Sequence, residues 1–155
     1  MPFMNRVLPL ILLIGLFCSA FQPLGKEKGI TAKQTVEYLN SKIDPSVRMA
    51  LKKGGVMVSF MKGEFVFRQD LFYPEDFDVS TVKYVAEEEA FSMKCFKGSK
   101  CVDRNLIEQD IRRGYSRLAI PFDGDEKARE GVRQALIHLL RNAQENDYSR
   151  TEPFE

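Results

Sequence analysis

The chain has 155 residues, with 23 Lys and Arg against 22 Asp and Glu, a net charge of +1 when its single histidine is neutral. That balance gives no bulk electrostatic basis for binding nucleic acid or an acidic membrane. With 44% apolar residues and no internal repeat or low-complexity tract, the composition is that of an ordinary globular protein.

The N-terminus, MPFMNRVLPLILLIGLFCSAFQ, carries one charge at Arg6, an uncharged apolar run from Val7 to Phe17, and small residues at Ser19 and Ala20. This is the layout of a secretory signal peptide cleaved after Ala20. The run is 11 residues long, against about 20 for a membrane-spanning helix, so no stable transmembrane anchor is expected. Cys18 allows a second reading, lipid anchoring, but Phe17 stands where a lipidation signal places a small residue. Cleavage leaves 155 less 20, or 135, residues with 22 basic and 22 acidic side chains, long enough for one domain with one core. The expected organisation is a signal at 1–20, a flexible leader at 21–30, a single domain at 31–142 and a polar tail at 143–155.

Thr31 and Gln34 match a capping box, and Ala32, Val36, Leu39 and Ile43 share one helical face, predicting a helix to about Lys42. Asp44-Pro45 ends it. Alternation at Val56, Val58 and Phe60, and again at Phe65 and Phe67, predicts a hairpin turning at Lys62-Gly63. Further strands are expected over Thr81 to Val85 and Ala90 to Phe96, then a short one from Lys100. An irregular or helical segment around Leu106 to Ile111 follows, and a last strand from Tyr115 to Phe122. Asp123 and Glu126 read as an acidic capping box for a long helix. Its stripe is Ala128, Val132, Ala135, Leu136, Leu139 and Leu140, and it runs to about Asn142.

Removal of the signal leaves Cys95 and Cys101, and export favours their pairing. A hairpin loop centred on Gly98 would set them opposite each other, within reach of a disulfide. A redox motif normally separates its cysteines by two residues and here there are five. A structural zinc site needs four ligands, more than two cysteines and one histidine supply without carboxylates.

Helix, strands, then a long amphipathic helix imply an α+β domain: a curved antiparallel sheet of about five to six strands packed by the C-terminal helix, with an additional N-terminal helix. The segment YSRLAIPFDGDEKAREGVRQALIHLL, Tyr115 to Leu140, with its last strand, acidic turn and capping helix, resembles the pleckstrin-homology-like fold. That resemblance implies a sheet closed by one helix. It names no ligand, because the fold hosts binders of lipids, peptides and proteins.

No nucleophile is placed beside His138, which sits to one side of the apolar stripe and reads as a boundary residue. Glu87 to Glu89, even with Asp76 or Asp78, read as a solvated turn rather than a cation site. No phosphate-binding loop or dinucleotide fingerprint occurs, and no cofactor or metal is expected. Phe72, Tyr73 and Phe77, around Pro74 in an expected loop, are the candidate binding residues. These features favour an exported, non-enzymatic module, periplasmic or extracellular, that binds a protein or a small apolar ligand. An enzyme using surface carboxylates, or a purely structural or inhibitory envelope protein, is the alternative.

Overall fold

The computed structural model describes residues 29–145. The expected signal, Cys18, residues 21–28 of the leader and residues 146–155 of the tail lie outside them. The chain is α+β: helix α1 (Ala32–Asn40), strands β1 (Val47–Lys52), β2 (Gly55–Lys62), β3 (Phe65–Phe72), β4 (Phe77–Val85), β5 (Ala90–Cys95), β6 (Val102–Leu106), β7 (Ile111–Tyr115) and β8 (Arg117–Pro121), then helix α2 (Glu126–Glu145). The strands form two sheets, of order β1-β2-β3-β6-β7 and β4-β5-β8, and every pairing is antiparallel. The expected single curved sheet of five to six strands is therefore eight strands in two open sheets around one core.

The two additional strands have weak sequence patterns for identifiable reasons. In β1 the inward side chains are Val47 and Met49, while Arg48, Ala50 and Lys52 face solvent and Leu51 runs off the end of the core. In β7 only Ile111 and Tyr115 are half-buried, with Arg112, Arg113 and Gly114 between them. A strand that leaves the core at one end loses the alternation by which strands are read.

Both helices follow the expected stripes. Thr31 and Gln34 close the capping box of α1, which buries Thr35, Val36 and Leu39. Helix α2 buries Val132, Leu136, Leu139 and Leu140. Its cap is Asp125 rather than Asp123: the Ala128 N–H donates to Asp125 Oδ1 at 2.7 Å, and the Arg129 N–H to the Asp125 carbonyl at 2.9 Å. The helices cross closely, and a Cβ on Gly131 would stand 2.3 Å from the Tyr38 hydroxyl oxygen.

Cys95 and Cys101 are bonded, with Cα atoms 5.8 Å apart. They are not opposite each other in a hairpin. Cys95 ends β5 in one sheet and Cys101 precedes β6 in the other, so the bond spans the passage between sheets. The other two passages lie beside it: Phe72 at the end of β3 packs edge to face on Phe77 at the start of β4, with ring centroids 5.2 Å apart. Ser116, between β7 and β8, accepts the Cys95 N–H at 2.9 Å.

Among the described residues one charge lies wholly inside. Asp70 on β3 is 0% exposed and accepts from two arginines side-on: Arg68 of its own strand, and Arg104 directly opposite on β6 through Nε and Nη2 at 2.9 Å each. Arg68 lies 4.0 Å over the Phe60 ring and Arg104 4.2 Å over the Tyr115 ring. A buried carboxylate requires such pairing, because an unpaired one would be strongly destabilising.

The α2 stripe sets a stability test. Leu136→Ala removes a side chain 1% exposed and is expected to cost about 2–5 kcal/mol. His138→Ala, on the half-buried flank, should cost about 1 kcal/mol or less. Denaturant melts of the two variants measure both.

Candidate functional site

The segment Leu71 to Phe77 does not present three rings to solvent. Phe72 and Phe77 are fully buried, and Tyr73 alone is exposed, at 38%. The connection between β3 and β4 is only residues 73–76, of which Pro74–Asp76 form one 3-10 turn. So short a link carries the chain from one sheet to the other, and the rings at its two ends necessarily face the shared core. The expected contact surface of Phe72, Tyr73 and Phe77 is thus corrected to one exposed ring over two core rings.

The same turn does reach a groove. Pro74 and Glu75 form one wall of a cavity of about 660 Å³. Leu51, Gly54, Gly55 and Val56 from the β1–β2 hairpin form the second wall. The chain entering α1, from Gly29 to Ala32, and the last turns of α2, at His138, Leu139, Arg141, Asn142, Ala143 and Glu145, complete it. The hairpin turns tightly at Lys53-Gly54, both with positive φ (44° and 82°), the geometry of a two-residue primed turn. Gly55 is required where β2 starts, since a Cβ there would meet the Phe72 carbonyl oxygen at 2.9 Å.

His138 has a structural partner at this groove. Its Nε2 lies 3.0 Å from the Ile30 carbonyl oxygen, to which Asn142 Nδ2 also donates at 3.4 Å. The expected boundary histidine therefore borders the segment leading into α1 rather than the sheet. Its role here is to hold that segment across α2.

The outer edge of β1 is half covered. The Asn40 side chain pairs with both backbone groups of Met49, donating to its carbonyl at 2.9 Å and accepting from its N–H at 2.8 Å. Val47 points its N–H the same way, to the Asp44 carbonyl at 2.9 Å. Peptide groups of a strand alternate direction, so those of Leu51 also point away from β2. Among the described residues they meet no partner, and Leu51 lines the groove. Nothing in the sequence around Leu51 signals this. It follows from the reach of Asn40, whose side chain pairs with Met49 nine residues later and stops short of Leu51.

The remaining candidates are engaged elsewhere. Glu87 and Glu88 lie in the β4–β5 turn with Glu89 in the left-handed region, and Glu88 pairs with Arg117 at 2.5 Å. Asp78 accepts from the Ser80 N–H and hydroxyl. Among the described residues no three metal-ligating side chains converge, and no helix is long and apolar enough to cross a membrane. Comparison with protein-family models, with curated proteins and with solved structures finds no match to this chain.

Burial separates the two neighbouring aromatics sharply. Phe72→Ser is expected to cost at least about 3 kcal/mol, as for removal of a core phenylalanine. Tyr73→Ser should stay within about 1 kcal/mol of the parent. Urea unfolding of each variant gives the comparison, and equal losses would contradict the placement of Phe72.

Proposed function

We propose that this chain is an exported binding module that takes an extended peptide of a partner protein along β1, with an apolar side chain of that peptide in the adjoining groove. The observation that carries the reading is the unpartnered backbone of Leu51 opening into the cavity. An exposed strand edge recruits a further strand by main-chain hydrogen bonds, and a neighbouring pocket then selects the side chain. The cavity volume lies within the roughly 300–1,000 Å³ usual for ligand sites. Ile30, Leu51, Val56 and Leu139 supply its apolar surface, and Glu75, Arg141 and Glu145 its charged rim. Asn40 limits the accessible edge to the stretch beyond Met49, so a short segment rather than a whole sheet fits.

Export is supported by the arrangement of Arg6, the Val7 to Phe17 run and Ala20, and by the Cys95–Cys101 bond, which oxidising compartments favour.

Selection of phage-displayed decapeptides on the purified protein tests the binding reading. Peptides enriched on the parent should lose affinity for Leu51→Pro, which removes the outward N–H yet is tolerated at a strand edge. They should also protect the Leu51 amide from exchange. Peptides that bind Leu51→Pro equally well would contradict the reading.

A further inference from the structure

The inner face of the five-stranded sheet carries a charge imbalance that the overall neutrality of the chain conceals. One cross-strand row runs Met49, Val58, Asp70, Arg104, Arg113. Burial falls along it: the first three are buried, Arg104 is 17% exposed, and Arg113 is exposed. Along this row the core thus ends between β3 and β6, although Val102 at the start of β6 is still buried, and beyond Asp70 the row becomes an open ledge. Around that boundary Arg68, Arg104 and Arg113 share one ion-paired carboxylate, Asp70, three positive charges to one paired negative.

Two features set this apart from a buried ion pair that merely satisfies itself. Arg104 and Arg113 are directly opposite in register, a like-charge apposition that destabilises an antiparallel pair unless an anion lies between them. Arg113 has no ion-pair or hydrogen-bond partner among the described residues. The opposite face of the same hairpin is balanced. There Asp103 takes Arg112 through Nε at 2.9 Å and Nη2 at 2.5 Å, and this hydrogen bond and charge raise the pKa of the Arg112 guanidinium above its ordinary value.

Two of the three arginines are held in place. Asp70 uses Nε and Nη2 of Arg104, and likewise of Arg68, while the Phe60 and Tyr115 rings back the two guanidinium planes. A guanidinium held side-on leaves its Nη1 donors pointing away from the carboxylate. We propose that Arg68 and Arg104, positioned by the buried Asp70, together with the neighbouring Arg113 form a binding site for a phosphate dianion, whose two charges match the local excess of two. Arginine forks suit phosphate oxygens, and pre-ordering by Asp70 lowers the entropic cost of binding.

Titration of the purified protein with inorganic phosphate at constant ionic strength, followed by chemical shifts of the arginine side-chain N–H groups, tests the site. Saturable binding is expected. Arg113→Gln should weaken it roughly tenfold, the loss of one charge-assisted hydrogen bond, because Arg113 is exposed and its removal leaves the fold intact. Arg112→Gln, which removes the same charge from the opposite face, should leave binding unchanged. Competition by phosphatidic acid vesicles but not by phosphatidylcholine vesicles assigns the phosphate to a lipid headgroup. Phosphate binding that vesicles do not compete assigns a soluble phosphate, and either result supports the site. No saturable binding at millimolar phosphate, or equal losses in Arg112→Gln and Arg113→Gln, would overturn it.

Discussion

The chain passes between its two sheets three times, and all three passages lie along one seam. Residues 73–76 lead out of the five-stranded sheet, residues 96–101 lead back, and Ser116 leads out again. Side chains and backbone lock these crossings together: Phe72 against Phe77, Cys95 bonded to Cys101, and the Cys95 N–H on the Ser116 carbonyl. Register continues the lock into both sheets, since Phe72 pairs with Val102, Val102 with Tyr115, and Phe77 with Cys95. Neither open sheet buries both faces by itself. Joined at the seam, they share one core with α1 and α2.

The seam also determines where the groove and the ion cluster lie. Because the turn at Pro74–Asp76 is short and its flanking rings are buried, its remaining surface is a wall, and the groove forms where that wall meets the β1–β2 hairpin and the end of α2. Along the row of Asp70 the core runs out beyond β3, and the buried Asp70 marks that boundary with its two largely buried arginines. The groove and the arginine ledge therefore lie toward opposite margins of the five-stranded sheet. Both are places where the regular layering of apolar side chains stops.

Much of this was legible in the residues. The capping box at Thr31, the leucine stripe of α2 and the alternation of Val56, Val58 and Phe60 are local periodicities, and each appears where its pattern places it. The pairing of Cys95 with Cys101 was also readable. Its setting was not, because six residues of separation fit a hairpin and a sheet crossing equally well. Phe72 and Phe77 misled for the same reason: composition marks a Pro-containing aromatic segment as a loop, while only tertiary connection says which way its rings point. The ion cluster was written as an ordinary Arg-x-Asp alternation in β3, and its partner Arg104 lies 34 residues away. Long-range register of that kind leaves no trace in a single sequence.

If the seam unites the two sheets, they must unfold together. Amide hydrogen exchange through a denaturant series, read separately for β2 and β3 and for β5 and β8, tests this most directly. The account predicts that the most protected amides of both sheets exchange with one common free energy and one common denaturant dependence. Loss of protection in β5 and β8 at lower denaturant, while β2 and β3 stay protected, would contradict it.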